Sequence, residues 1–388
     1  MKYGNAQKRK PKYITKIINK KNAQNTFKNN DTNFSTSSKM VILLLILFII
    51  LIYSRYPDIP NNIIKTNTGN TNPHDIRFII TNSPSHYNFG DEAILMSTQQ
   101  FLKFYFPDIE QIVITRNENM NNINLIKYII KKNDIIIING GGYFGLYETY
   151  IRAEAKIIKT FQNNHIIFFP CTIIYPEQKK ENEYKSYINI FNSHKKITLF
   201  TREDKSYEVA LNLFPNITIY KVPDIATRLN LSFVNKTARR KGALLIFRFN
   251  EVLLDQNDRD TIENIVKKYF NIIYKRSTKL PFTKETTQDI RRNNSIEFIK
   301  FAAERKLIIT DRLHGSLFSI ITGTPCIILG NKYHKVESSY NSWFKNFSYV
   351  SFIKKEDIND KFEETLIRLN NHYNNNNFPK YDYFEKFL

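Results

Sequence analysis

From residue 75 onward the chain repeats one pattern: a short run of β-branched and aromatic residues, then a longer stretch with apolar positions every three or four residues. The runs at 76–82, 111–115, 134–139, 165–171, 196–201 and 217–222 are apolar at successive positions. That pattern predicts strands covered on both faces. Between them, 91–105, 122–132, 148–161, 181–193 and 203–213 carry the helical period. A second series follows an Arg- and Lys-rich link near 238–241. It predicts strands at 243–248, 271–275, 306–310 and 326–329, and helices at 258–269, 291–304, 315–322 and 355–370. Buried strands alternating with helices imply parallel sheets, because a parallel connection needs a crossover of about that length.

The expected fold is therefore α/β, with two Rossmann-like domains, 75–237 and 238–388, the second ending in a C-terminal helix. Two such halves facing a cleft make an arrangement of the GT-B type. Ligands of open α/β sheets sit beyond the carboxyl ends of the strands, so those ends are where chemistry is sought.

Ahead of the body, residues 40–53 read M-V-I-L-L-L-I-L-F-I-I-L-I-Y, with Lys39 before and Arg55 after. As a helix this run spans about 21 Å, short of the ~30 Å hydrocarbon core. Its context still predicts a single transmembrane signal anchor, between a basic tail, 1–39, and a Pro-, Asn- and Thr-rich linker, 54–74. A cleaved signal peptide would begin near residue 1 and end in small residues, and this run does neither. The tail holds nine Lys and one Arg against the single acid Asp31, and basic flanks stay on the cytosolic side. The expectation is a single-pass type II membrane protein with a lumenal body, in the ER or Golgi, whose thinner bilayers suit a short span. Sequons at Asn216, Asn230, Asn235, Asn293 and Asn346 are compatible with a lumenal body.

The formal net charge of +21 first suggests nucleic acid. The tail holds nine of that surplus, and the other twelve are spread thinly with no basic block interleaved with aromatics. A moderately basic body suits a small anionic substrate better, so no nucleic-acid partner is expected. The Asn, Ile and Lys bias runs through every element alike and carries no functional weight. Cys171 and Cys326 lie in or beside apolar runs and read as buried free thiols, though a lumenal disulfide between them is not decided by sequence. No Cys/His spacing reads as zinc and no carboxylates cluster at ligand spacing, so no metal or cofactor is expected.

Three segments carry candidate chemistry. The first strand leads into N-F-G-D, where Asn88, Gly90 and Asp91 form a tight turn opening a helix. Such a turn offers unpaired N–H groups to an anion, or is simply an N-cap. The third strand runs into N-G-G-G-Y-F-G, where Gly141 and Gly142 let a ligand or the facing half approach the backbone. The spacing is not that of a nucleotide-binding fingerprint, and a strained turn after the strand would look the same. The segment D-R-L-H-G-S-L-F-S-I-I-T-G-T-P-C places Arg312 and His314 between a strand ending at Asp311 and a helix opened by Gly315. Arg at a strand's carboxyl end suits bidentate contact with phosphate or carboxylate, and His moves protons near neutral pH. Arg202 and Arg248 also fall at strand ends.

The N-x-G-D turn, the glycine loop, T-R-E-D-K-S at 201–206, Pro223–Asp224, and D-R-L-H-G followed by G-T-P and H-K-V occur in the order and spacing of the polysaccharide pyruvyl transferases, which this chain resembles from about 76 to 343. The resemblance implies transfer of a carboxyethylidene group from phosphoenolpyruvate to two hydroxyls of a glycan sugar, with release of phosphate. By the same likeness Arg202 and Arg312 would hold the donor's phosphate and carboxylate. His314 would be the acid/base, Lys335 would add positive charge, and Arg248 is a secondary donor contact. Two other readings share the sequence features. One is a GT-B glycosyltransferase using a nucleotide sugar, for which Glu337 is the nearest carboxylate for a ribose. The other is a catalytically silent glycan-binding protein.

Overall fold

The computed structural model describes residues 76–117, 122–144, 148–174, 181–235, 237–248, 253–279 and 287–374. The basic tail, the apolar run 40–53 and the linker lie outside the described residues. Among the described residues, no helix is long and apolar enough to cross a membrane.

The first series runs β1 (Arg77–Ser83), α1 (Phe89–Tyr105), β2 (Glu110–Thr115), α2 (Ile123–Ile129), β3 (Ile135–Ile138), β4 (Gly141–Phe144), α3 (Glu148–Thr160), β5 (His165–Ile173), α4 (Glu181–Ser193), β6 (Ile197–Thr201), α5 (Asp204–Leu213) and β7 (Thr218–Lys221). A 3₁₀ turn, Ile225–Arg228, leads out of this sheet. The second runs β8 (Ala243–Ile246), α6 (Gln256–Tyr269), β9 (Ile273–Lys275), α7 (Gln288–Ala303), β10 (Leu307–Thr310), α8 (Leu313–Ile321), β11 (Cys326–Leu329), α9 (Lys335–Ser339), a π-helical turn Tyr340–Phe344, β12 (Val350–Ile353) and α10 (Ile358–Asn374).

Both sheets are parallel throughout. The first is ordered β2-β1-β3-β5-β6-β7 with β4 beside β5, the second β12-β11-β10-β8-β9. Helices on both faces explain why the strands read as unbroken apolar runs: all four isoleucines of β3 and all four residues of β10 are buried. The strand order reverses beside β1 in the first sheet and beside β8 in the second. Those are the topological switch points where crevices open at carboxyl ends.

The two series share one hydrophobic core. Helix α1 is the shared element: Asn88 caps it, Asp91 and Glu92 sit in its first turn, and Phe89, Ala93, Ile94, Leu95 and Met96 are buried. It packs against α7 of the second series, where Phe89 meets Phe298 with ring centroids 4.9 Å apart. A buried pair between Arg291 Nε and Glu92 Oε2, 3.4 Å apart, ties the same helices.

Two expectations need correction, and one strand has no counterpart in the sequence reading. The glycine segment is not a loop between strand and helix: Gly141 and Gly142 begin β4, an added parallel strand on β5. The helix after Arg312 begins at Leu313, not Gly315, because the close approach of the Thr310 side chain requires glycine inside its first turn. The edge strand β12 was not expected, its V-S-F-I run being short and only half buried. Cys171 and Cys326 are both buried and free.

Candidate functional site

Both switch points supply the same cavity, about 150 Å³ in volume. From the first series come His86 and Asn88 after β1, Asp91 in α1, Gly142 in β4, Tyr150 in α3 and Arg202 after β6. From the second come Arg248 after β8, Thr278 and Lys279 after β9, Arg312, Leu313 and His314 after β10, and Asn331 and Lys335 after β11. Of the residues that the sequence assigned to the donor site, Gly90 and Gly141 are the two that do not line the cavity. Gly90 lies directly behind it: a Cβ there would stand 2.6 Å from the His314 Cβ and closer still to the ring. At Gly142 a Cβ would collide with the Arg202 guanidinium and come within 3.4 Å of the Lys335 Nζ. Glycine is needed at both positions because the His314 ring and the Arg202 guanidinium press against the backbone.

The α1 turn is built by its own polar residues. Asn88 Oδ1 accepts from Gly90 N–H at 3.0 Å and its Nδ2 donates to Asp91 Oδ2 at 2.8 Å. His86 Nε2 stands 3.1 Å from the same oxygen. Burial alone would raise the Asp91 carboxyl, but the hydrogen bond and charge of His86, with His314 and Arg116, hold it well below the usual carboxylate range. Phe89 N–H donates to Thr278 O at 2.9 Å, fixing this turn to the opposite sheet.

Arg202 is the largest fully buried side chain among the described residues, 1 % exposed. Its Nη1 is 2.5 Å from Asp224 Oδ2, its Nε donates to Thr172 Oγ1 at 2.9 Å, and Glu203 lies 3.6 Å away. Burial opposes its charge, yet the carboxylates of Asp224 and Glu203 outweigh that and hold the guanidinium firmly protonated. Trp343 Nε1 donates to the Arg202 carbonyl at 2.8 Å, and Ser342 Oγ and Ser338 Oγ accept from the first N–H groups of α5. Helix α9 and the π-helical turn of the second series thus together cap the helix that follows Arg202.

His314 sits in the first turn of α8, its Nε2 3.9 Å from Asp224 Oδ2 and without a hydrogen-bond partner among the described residues. Burial, with help from Arg202 and against the pull of Asp224, lowers its pKa to about 4, so the ring is neutral at physiological pH. Lys335 opens α9, and burial beside Arg248 and Arg202 lowers its pKa to about 7. Arg312 donates from Nη1 to Thr278 Oγ1 at 3.3 Å and from Nε to Phe247 O at 3.4 Å. Arg248 is held by its backbone N–H donating to Asp311 Oδ1 at 2.8 Å. Among the described residues, Arg202, Arg248, Lys279, Arg312 and Lys335 line the cavity with one carboxylate, Asp91, and even with Arg202 balanced by Asp224 the cations outnumber it. Such a surplus is suited to a small ligand carrying more than one negative charge.

Sequence reasoning missed His86, Tyr150, Lys279 and Asn331 as lining residues and Asp224 as the partner of Arg202. His86 and Lys279 each follow a strand, the one signal that could have found them. Behind Tyr150 the guanidinium of Arg116 stacks at 3.6 Å and donates to Asn82 Oδ1 at 2.6 Å. Asn82, held at φ +57°, donates in turn to Glu154 Oε1 at 3.0 Å. Glu337 lies outside the cavity, on a shallow groove with Asp204 and His334, 3.7 Å from Lys354 Nζ. Among the described residues, no group of three or more His, Cys, Asp or Glu side chains is placed to hold a metal ion.

The chain is 30% identical over 291 residues to general stress protein 30 of Bacillus subtilis, an alignment covering 74% of this chain and 83% of that one. It is 24% identical over 303 residues to pyruvyl transferase 1 of Schizosaccharomyces pombe, covering 74% of each chain. The polysaccharide pyruvyl transferase profile matches residues 88–333, more than half of the sequence and the whole span from Asn88 to the segment just before Lys335. By that match, the chain belongs to the polysaccharide pyruvyl transferase family.

Proposed function

We propose that this cavity binds phosphoenolpyruvate and transfers its carboxyethylidene group to two hydroxyls of one glycan sugar, releasing phosphate. The observation that carries the reading is that Arg248, Arg312 and Lys335 line one cavity with His314, whose Nε2 has no hydrogen-bond partner among the described residues. The donor brings a phosphate and a carboxylate, which forked guanidinium groups orient, and the cations stabilise the phosphate as it departs. The first sugar hydroxyl adds at the donor's C2 while the methylene carbon takes a proton. Loss of phosphate leaves a cationic centre that the second hydroxyl closes into the ketal. Of the two hydroxyl protons, one ends in the new methyl group and one leaves with phosphate, so the reaction balances without an oxidant or reductant.

His314 is the proton carrier at the donor, because an arriving polyanion restores the basicity that burial removes. Arg202 has its charge taken up by Asp224 and Glu203, so its part is to fix Asp224 beside His314 and to present Nη2 at the Gly142 backbone. The cavity is small against the ~300–1,000 Å³ of sites that enclose larger ligands, which favours the small donor over a whole nucleotide sugar. The position of Glu337 outside the cavity points the same way. The GT-B description, the type II anchor at 40–53 and a lumenal ER or Golgi body belong to the same proposal. All five sequon asparagines are exposed, as a lumenal surface would allow.

The test uses the full chain in detergent with phosphoenolpyruvate and a panel of aryl hexosides. Phosphate release with a mass gain of one carboxyethylidene group on the sugar is expected. Nucleotide release from a sugar nucleotide, with none of that phosphate, would refute the reading.

A further inference from the structure

Closing a ketal sends two hydroxyl protons by different routes: one reaches the methylene carbon, the other leaves with phosphate. His314 serves the first route. The second needs a group that gives a proton to the departing phosphate and takes one back from the second hydroxyl. Of the cations lining the cavity, Arg202, Arg248 and Arg312 keep their charge and exchange no proton. Lys279 is exposed, whereas Lys335 is buried. Among the described residues the Lys335 Nζ makes no hydrogen bond or ion pair, and its aromatic contact is the face of the Tyr333 ring, 5.7 Å away. A Cβ on Gly142 would lie 3.4 Å from this nitrogen and 2.4 Å from Arg202 Nη2, so both bear on the same bare stretch of backbone. The charged and titratable groups around Lys335 are Arg202 and Glu203 after β6, Asp91 in the first turn of α1, Arg248 after β8 and His314 in α8. Burial and the two guanidinium groups outweigh both carboxylates and lower its pKa to about 7, where an acid that also acts as a base is most effective. A buried ammonium set among guanidinium groups without an acceptor opposes folding, which argues that it is there for binding or chemistry.

We propose that Lys335 is a second catalytic residue, the acid that protonates the phosphate as it leaves and the base that then takes the proton of the second sugar hydroxyl. This rests on the pyruvyl-transfer reading above. Once the first hydroxyl has added at C2 and the methyl group is formed, the bond from C2 to the phosphate oxygen breaks and its electron pair stays on oxygen. That oxygen takes a proton from the Lys335 ammonium. The neutral amine then accepts the proton of the second hydroxyl as its oxygen bonds to the cationic C2. Lys335 ends the turnover protonated as it began, and hydrogen phosphate carries away one proton. His314 and Lys335 thereby divide the work: one delivers a proton to carbon, the other moves a proton between oxygens. An arginine could supply the charge but not the proton, which gives a reason for lysine beside Arg202 and Arg248.

The experiment compares full-length wild type with Lys335→Arg, Lys335→Met and, as a control, His314→Gln, in detergent and heavy water with an aryl hexoside. Three quantities are read: phosphoenolpyruvate affinity by calorimetry, phosphate release, and deuterium in the methylene group of recovered phosphoenolpyruvate. Lys335→Arg should keep the donor Kd within about tenfold of wild type while kcat falls by about 10²–10⁴-fold. With phosphate departure slowed, the first addition reverses, so the recovered donor should carry deuterium in both Lys335 variants and none in His314→Gln. Lys335→Met, measured at saturating donor, loses no ion pair and should melt no lower than wild type; its deuterium content decides the matter if the longer arginine does not fold. Wild-type turnover in Lys335→Arg overturns the assignment, because charge alone then suffices. So does loss of donor affinity equal to the loss of turnover, which makes Lys335 a donor contact. Recovered donor free of deuterium in the folded variants, or a Lys335→Met melt well below wild type, overturns it as well. If wild type releases no phosphate from phosphoenolpyruvate, the underlying reading has failed, whatever the variants do.

Discussion

Substituting Gly90 by alanine tests whether the first turns of α1 and α8 are pressed together for catalysis. The new methyl would stand 2.6 Å from His314 Cβ and closer to Cγ and Nδ1. Carbon atoms settle at about 3.5–4.0 Å, so a shift of about 1 Å is required. Rotation about χ1 does not relieve it, because the Cβ is carried by the backbone. The first turn of α8 must therefore move away from α1, and overpacking of this kind costs about 1–3 kcal/mol. A displacement near 1 Å at an acid/base residue lowers turnover by about 10²-fold. Thermal unfolding and phosphate release should be followed in Gly90→Ala, His314→Gly and the double variant. The stability loss of Gly90→Ala should largely vanish in the His314→Gly background, which removes all three crowded atoms, and the cycle gives the coupling directly. Strictly additive losses, or wild-type turnover in Gly90→Ala, would refute the reasoning.

Four further outcomes follow from the site. His314→Gln should abolish ketal transfer with a small change in melting temperature; equal loss of both counts against catalysis by this ring. Because its pKa is near 4 folded and near 6.5 unfolded, the unfolded chain binds the extra proton between those values. Stability should therefore fall by at most about 3 kcal/mol as pH drops from 6.5 to 4, a slope that denaturant melts should find flattened in His314→Gln. Lys335, whose pKa burial lowers to about 7, should take up a proton when the anionic donor binds near pH 8. Calorimetry in buffers of different ionisation enthalpy would detect it, and buffer-independent heats, or uptake unchanged in Lys335→Arg, would count against it. Arg202→Ala should destabilise by about 3–5 kcal/mol, since it leaves Asp224 buried without its partner. A chemical-denaturation midpoint unchanged from wild type would sink that account.

Much of the architecture is legible in the residues because burial on both faces forces parallel strands to be apolar at successive positions. The runs behind β3, β5, β10 and β11 therefore stand out with little ambiguity. Weakly patterned elements do not: β4 begins with two glycines and β12 is a half-buried edge, so neither carries a period to read. The start of α8 is hidden for a related reason. Arg312 occupies its N-cap without making a side-chain cap, and glycine appears where the helix needs clearance rather than where it begins.

By itself the sequence determined which residues stand at strand ends: Arg202, Arg248, Arg312, His314 and the Asn88–Asp91 turn. That depends only on local period and on the order of elements along the chain. The tertiary structure alone decided that two switch points, one per sheet, open onto a single cavity. It also decided that Asp224 neutralises Arg202 and that burial strips His314 and Lys335 of their ordinary basicity. Charge balance and desolvation are properties of a place in space, set by side chains brought together from distant parts of the chain, and no local pattern of residues encodes them.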